Sequence, residues 1–205
     1  MQSYRPDTPT HDIATEVGEI LIARGYEAIQ TLSPKPASEA PLNTYSGMYG
    51  MDHFPLHTDL AHVRNTPRYL LLRCITGHRA VQTLLLDSFH LLRLVNCDVL
   101  SRSLVRPRRP HQGELPLLRL LRPIDEGRFA FRWDMRFIEP ANSAGLIGMQ
   151  KTSEALSLLA PFEISLCNRG DTLILDNWRM LHGRSNVQPV ASGRRLERSY
   201  LEILH

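Results

Sequence analysis

Apolar positions follow two different rhythms along the chain, and the change comes after residue 42. In "DIATEVGEILIARG", Ile13, Val17, Ile20 and Leu21 recur at i, i+4, i+7 and i+8, with Thr10 or Asp12 placed to cap and Gly25 to stop. This spacing predicts an amphipathic helix over 12–25. Residues 31–42, "TLSPKPASEAPL", hold three prolines among small polar residues and read as a surface loop. Short apolar runs follow at 69–75, 81–86, 115–121, 128–133, 162–167, 172–175 and 196–203, each of strand length and rich in Leu, Ile, Val and aromatic residues. Between them, "DSFHLLRLVN" (87–96) reads as a short capped helix. "MQKTSEALSLLA" (149–160) reads as a longer one with Leu156 and Leu159 on its buried side, and "CNRGDT" (167–172) as a turn. Many short strands and few helices predict a mainly β fold with flanking helices, a β-sandwich or jelly-roll barrel, without internal repeats.

Composition narrows this little. With 205 residues, 42% hydrophobic and 22% charged, one well-cored domain spanning 1–205 is expected, the first 44 residues forming a helix and loop ahead of the β core. The first twenty residues lack a basic start followed by an apolar core, and no apolar run reaches spanning length, so a cytoplasmic protein without membrane association is expected. Cys74, Cys97 and Cys167 lie 23 and 70 residues apart, which suits neither a zinc knuckle nor a disulfide framework. A net charge of +3 is too weak a field to argue for nucleic acid. The cluster Arg102, Arg106, Arg108 and Arg109 has no interleaved aromatics for base stacking and reads as a solvated loop or strand edge. Oligomeric state stays open.

Candidate chemistry begins at "HFPLHTDL". In an extended segment His57 and Asp59 project from one face and Thr58 from the other, which supplies two thirds of the two-His, one-carboxylate set that holds non-haem Fe(II). About one H-x-[DE] is expected by chance in such a chain, so the pair needs a third ligand. The segment 170–204 offers it: a turn, a strand, His182 at a strand end, a loop, then a final strand studded with arginine. Sequence-distant strands face each other in a jelly roll, so a histidine 125 residues after His57 can complete the set. His53, His62, His78, His90, His111 and His205 have no matched spacing and read as surface or hydrogen-bonded residues.

"FPLHTDL" (54–60), "PRYLLLRC" (67–74), "TLLLDS" (83–88), "DNWRMLHGR" (176–184) and "GRRLERSYL" (193–201), in this order, resemble the taurine dioxygenase (TauD/TfdA-like) superfamily of Fe(II)/2-oxoglutarate oxygenases, especially its gamma-butyrobetaine hydroxylase branch. The resemblance implies a double-stranded β-helix (jelly-roll, cupin-like) core. It implies Fe(II) held by His57, Asp59 and His182, and 2-oxoglutarate and O2 as co-substrates. The far carboxylate of 2-oxoglutarate would be gripped by an arginine, Arg194 or Arg195, with "RRLE" favouring Arg194, since a planar guanidinium binds a carboxylate in a bidentate way. Thr83 occupies the place of a hydroxyl contact to the same carboxylate. Period-two alternation sets Arg198 on the face of Arg194, where it assists or binds an anionic part of the substrate.

The implied reaction is hydroxylation, with desaturation or ring closure as variants, of an amino-acid-like or other carboxylate-bearing small molecule. Halogenation is disfavoured because Asp59 retains its carboxylate. Met48, Tyr49, Arg132, Asp134 and Arg136 are candidate pocket residues; Asp176 and Asn177 are expected to brace a strand end or orient His182, and Trp178 to lie in the core. The chain is shorter than usual for the superfamily, and "GHRAVQT" lacks the paired glycines common before the Thr83 position. A compact core with an open cleft would suit a carrier-bound or macromolecular substrate. A non-catalytic jelly-roll binding protein is the alternative from another class.

Overall fold

The structure is a computed structural model and describes residues 3–22, 25–125 and 127–205. In chain order, helix α1 (Thr10–Val17) leads into β1 (Gly18–Ile20) and β2 (Gln30–Leu32), then α2 (Tyr45–Tyr49), β3 (Phe54–His57), β4 (Tyr69–Thr76) and β5 (Thr83–Asp87). Two short helices, α3 (Ser88–Leu92) and α4 (Cys97–Arg102), precede β6 (Leu104–Pro107), β7 (Leu118–Arg119), β8 (Leu121–Asp125), β9 (Arg128–Phe131) and β10 (Ile138–Pro140). The longest helix, α5 (Ser143–Ser157), is followed by β11 (Phe162–Ile164), β12 (Thr172–Asp176), β13 (Met180–Arg184) and β14 (Arg195–Leu204).

Two antiparallel sheets make the core. One has the order β1-β14-β4-β12, with β2 sharing the β1 edge of the long strand β14; the other has the order β11-β5-β13-β3. Their facing surfaces interlock through Leu70, Leu72, Leu175, Leu196 and Tyr200 of the first sheet and Leu85 of the second. The run "YLLLRC" is apolar on both faces because both are covered: Leu71 points away from the interior and packs with Leu201 against Ile13 and Ala14 of α1. Leu86 and Leu181 likewise back the second sheet onto a cluster with Leu100, Trp133 and Met149. Two facing sheets with helices outside form the expected double-stranded β-helix. Among the described residues no helix is long and apolar enough to cross a membrane.

Several elements differ from their expected form. The helix expected over 12–25 ends at Val17, and Gly18 opens a strand instead. A Cβ on Gly18 would meet the Ile203 carbonyl oxygen at 2.2 Å, so glycine here permits the close pairing with β14 that overrides the helical spacing of Ile20 and Leu21. Residues 23 and 24 of that expected helix lie outside the described residues. The loop expected over 31–42 begins inside β2, drawn in by the free edge of β14. Helix α5 starts six residues before the expected 149, capped by the Asn142 side chain, which accepts the Gly145 N–H at 2.6 Å. Gly145 and Gly148 look like helix breakers in the sequence, but their missing side chains let α5 lie against the Leu104 carbonyl and the Ser103 hydroxyl. The arginine-rich stretch read as a solvated loop or strand edge contains the central strand of a three-stranded sheet, order β10-β6-β7, with Val105 fully buried and Arg106 paired to Glu139 at 2.9 Å.

Close approach also shapes the pairing of β13 with β3, where a Cβ on Gly183 would lie 2.5 Å from the Phe54 carbonyl oxygen. Gly183→Ala is therefore expected to cost about 1–3 kcal/mol, because neither backbone can retreat without disturbing the pairing. Thermal unfolding should show a midpoint several degrees lower; an unchanged midpoint would mean that the strands do not sit this close.

Candidate metal centre

The pairing of β13 with β3 puts His182 directly opposite His57, so both imidazoles leave the same face of the sheet, toward the interior. The chain continues extended past His57. Thr58 turns to the other side, where its N–H donates to the Trp133 carbonyl at 2.8 Å and its hydroxyl accepts the Trp133 N–H at 3.1 Å. Asp59 thereby returns to the face of His57. Its Oδ1 lies 3.6 Å from Nε2 of both His57 and His182, too long for hydrogen bonds, and the three side chains offer donor atoms within 4.8 Å of one another. His57 is fixed by Nδ1 against the Pro55 carbonyl at 2.9 Å, which aims Nε2 at the cluster. Nδ1 of His182 is buried without a partner among the described residues.

The other Asp59 oxygen is held from the facing sheet. Oδ2 accepts from Arg198 Nη1 at 2.9 Å and from the Tyr200 hydroxyl at 3.2 Å, while Arg198 Nη2 donates to the Gln30 side-chain oxygen at 2.6 Å. Burial opposes the Asp59 charge, but Arg198 and then His182 and His57 outweigh it, so the carboxyl stays well below its usual range. Burial also opposes a charge on each imidazole. At His57 the Asp59 carboxylate prevails and the pKa is raised; at His182 burial and the charge of His57 leave it lowered. Tyr45, from α2, stacks on the His57 ring with centroids 4.1 Å apart, and its hydroxyl shares a buried contact with Asp134.

The cluster opens into a cavity of about 1090 Å³ that Thr83, Arg184, Arg194 and Arg198 also line. Arg194, just before β14, is 6% exposed and Arg195 is exposed, while the alternation of β14 sends Leu196, Arg198 and Tyr200 toward the cavity. No acid pairs with Arg194 among the described residues, its Nε has no partner, and burial pushes its pKa down. Thr83 lies two residues before Leu85, the residue opposite His182 on β5, so it shares the histidines' face one step along. Seven basic side chains and two carboxylates line the cavity, which leaves it strongly electropositive.

Several expected residues sit elsewhere. Asn177 does not orient His182: its side chain accepts the Asp59 N–H at 2.7 Å and donates to the carbonyls of Asp59 at 3.1 Å and Pro67 at 3.0 Å. Asp176 caps the next turn by accepting the Trp178 N–H at 3.0 Å. Met48, Asp134 and Arg136 line the cavity, with Tyr49 behind Arg136 as its hydrogen-bond acceptor, whereas Arg132 and Trp178 line a different cleft. Trp178 is only half-buried. His62 and His111, read as surface or hydrogen-bonded residues, meet edge to face with ring centres 5.0 Å apart in the cavity wall. Sequence reasoning missed Tyr45 and Tyr200. The alternation that flagged Arg198 also reaches Tyr200, while nothing in the spacing marks Tyr45.

No family model matches the sequence, and no curated protein matches it. Solved structures do match in fold. One is asparagine oxygenase in complex with Fe(II), 2S,3S-3-hydroxyasparagine and succinate, with a TM-score of 0.69 and 19% identity over 91% of this chain and 60% of that one. Another is the non-heme iron oxygenase OrfP in complex with Fe and alpha-ketoglutaric acid, with a TM-score of 0.68 and 19% identity over 90% of this chain and 60% of that one. The chain has the fold of these oxygenases, and it spans about 60% of their length.

Asn177 makes three hydrogen bonds in a site 1% exposed, two of them to the backbone of Asp59. Asn177→Ala is expected to destabilise the chain by about 2–3 kcal/mol and to weaken divalent-metal binding roughly 10–100-fold. Calorimetric titration with Co(II) in variants checked for folding tests this, and wild-type affinity in the variant would show that Asn177 does not position the carboxylate.

Proposed function

We propose that this chain carries the catalytic core of an Fe(II)- and 2-oxoglutarate-dependent oxygenase that hydroxylates an amino-acid-like small molecule. The observation that carries this reading is the buried convergence of His57, Asp59 and His182 beside Arg194, a buried cation with no acid of its own. Two imidazole nitrogens and one carboxylate oxygen form a donor set suited to Fe(II), with one face left open. The orphaned Arg194 suits a carboxylate-bearing co-substrate. With O2, bound Fe(II) and 2-oxoglutarate supply the oxidising power to hydroxylate an unactivated carbon.

The chain's own groups have separate tasks. His57 and His182 present Nε2 as neutral donors, and Asp59 supplies the negative charge. Arg198 and Tyr200 hold Oδ2, so that Oδ1 faces the histidines. Arg194, with the Thr83 hydroxyl, receives the far carboxylate of 2-oxoglutarate in a place where a guanidinium gains most from a partner. Tyr45 covers one face of His57 and keeps water from it. Asp134 and Arg136, of opposite charge, line the same cavity and suit the amine and carboxylate of an amino acid. The asparagine oxygenase structure contains a hydroxylated amino acid, as does OrfP in complex with Fe, succinate and (3R,4R)-dihydroxy-L-Arg, which supports this substrate class. We place the reaction in the cytoplasm, where Cys74, Cys97 and Cys167 remain free thiols.

Anaerobic titration of the apoprotein with Fe(II) and 2-oxoglutarate is expected to give a visible charge-transfer band. His57→Ala and Asp59→Ala should abolish it, and Arg194→Gln should require at least about tenfold more 2-oxoglutarate, the loss of one charge-assisted contact. A folded wild type that gives no band would reduce the likeness to one of fold.

A further inference from the structure

A second cleft, of about 970 Å³, adjoins the metal cavity and shares Tyr26, Leu60, His62 and His111 with it as a common wall. Five arginines line it against Glu114 and Glu202. Glu114 lies 4.0 Å from Arg64, at the limit of an ion pair, and Arg68, Arg122 and Arg132 have no acidic partner among the described residues. The guanidiniums of Arg122 and Arg68 stand 4.9 and 5.3 Å from the ring centre of Trp178, which holds them in place without neutralising them. Nε of Arg68 is buried and unpartnered.

Arg132 is 8% exposed and also leaves its Nε unpartnered. Its terminal nitrogens are taken by the carbonyls of Ala61, Val63 and Arg64, which orient the group but cancel none of its charge. Burial and the nearby Arg122 push its pKa down to about 10, as expected of a cation in need of a counter-charge. The metal centre does not use these groups. Arg132 is thus a buried charge without a counter-ion, Arg68 and Arg122 line the same cleft, and planar guanidiniums match phosphate and carboxylate oxygens in pairs.

We propose that this cleft is an oxyanion-binding site for a phosphate or carboxylate group, held by Arg68, Arg122 and Arg132 beside Trp178. The shared wall makes the far end of a substrate the natural source of that group, its reacting end lying at the His57–Asp59–His182 cluster. The assignment of that source rests on the oxygenase reading; the anion site does not.

Inorganic pyrophosphate, titrated into the metal-free full chain while tryptophan emission is followed, tests the site. Trp178 stands in the cleft and the other tryptophan, Trp133, is 2% exposed, so the signal reports the cleft. The expected result is a saturable change, with affinity at least about tenfold weaker in the Arg68→Gln/Arg122→Gln double variant and unaltered in Arg108→Gln, which lines only the metal cavity. Arg122 is exposed, so Arg122→Gln alone decides the matter should the double variant fail to fold. A linear response in wild type, or equal affinity in wild type and a folded cleft variant, would overturn the proposal. Amino acids bearing a terminal phosphonate on chains of increasing length separate the sources. A substrate end gives an affinity maximum at one length that Asp134→Asn diminishes, whereas a free effector binds independently of length. Because the titration uses no iron, its failure leaves the oxygenase reading standing, and a missing chelate band leaves the cleft standing.

Discussion

An ionised carboxylate at 6% exposure is the constraint around which this structure is arranged. Moving such a charge from water into the interior carries a penalty of several kcal/mol, so Asp59 is tolerable only if its surroundings return that energy. They do so from three directions. Arg198 and Tyr200 come from β14 in one sheet, His57 and His182 from β3 and β13 in the other, and Asn177 grips the Asp59 backbone from the turn after β12. The carboxylate thus couples the two sheets at the point where they would otherwise need apolar filling. Its two oxygens are unequal: Oδ2 is already committed to donors, and only Oδ1 faces the imidazoles.

Arg194 is the converse case. It is as buried as Asp59 but has no acidic partner among the described residues, and its charge, after burial, pushes down the pKa of the neighbouring Arg184. Arg184 is itself settled by donating to the carbonyls of Gly50, at 2.8 Å, and Asp52, at 2.6 Å, with its guanidinium over Phe54. A cavity whose floor carboxylate is already held by donors and whose wall carries a buried cation without an acidic partner among the described residues would draw the anionic end of a ligand to Arg194.

Legibility in the sequence followed the range of the interactions. His57 and Asp59 could be paired because a two-residue period is a local property of extended chain, whereas Arg194 was favoured over Arg195 by the resemblance of "RRLE", and the structure buries Arg194 and exposes Arg195. The runs at 69–75 and 196–203 announced the central strands because both their faces are covered. What failed depended on partners distant in sequence. Gly18 starts a strand because β14 offers an edge, and Gly145 and Gly148 sit inside a helix that the Leu104 carbonyl and the Ser103 side chain press against. Asn177 was expected to brace the strand end or orient His182, and its side chain instead holds the backbone of a residue 118 positions earlier. Tyr45 lies in a five-residue helix with no periodic pattern, and its place over His57 follows from packing against Phe54 and Phe137.

The backbone immediately after Asp59 links the metal centre to the second cleft. Leu60 has φ 54°, a left-handed conformation that costs a branched side chain on the order of 1 kcal/mol, and Val63 N–H closes the turn onto the Leu60 carbonyl at 3.0 Å. The turn leaves His62 in the wall shared by the two cavities and presents the carbonyls of Ala61, Val63 and Arg64 to Arg132. Arg132 therefore stabilises the turn that aims Asp59, while its charge remains uncancelled at the floor of the neighbouring cleft. An anion drawn to that charge would bear on the same few residues that set the direction of the metal-facing carboxylate. The two sites are joined by the Leu60 turn and the buried Arg132 guanidinium.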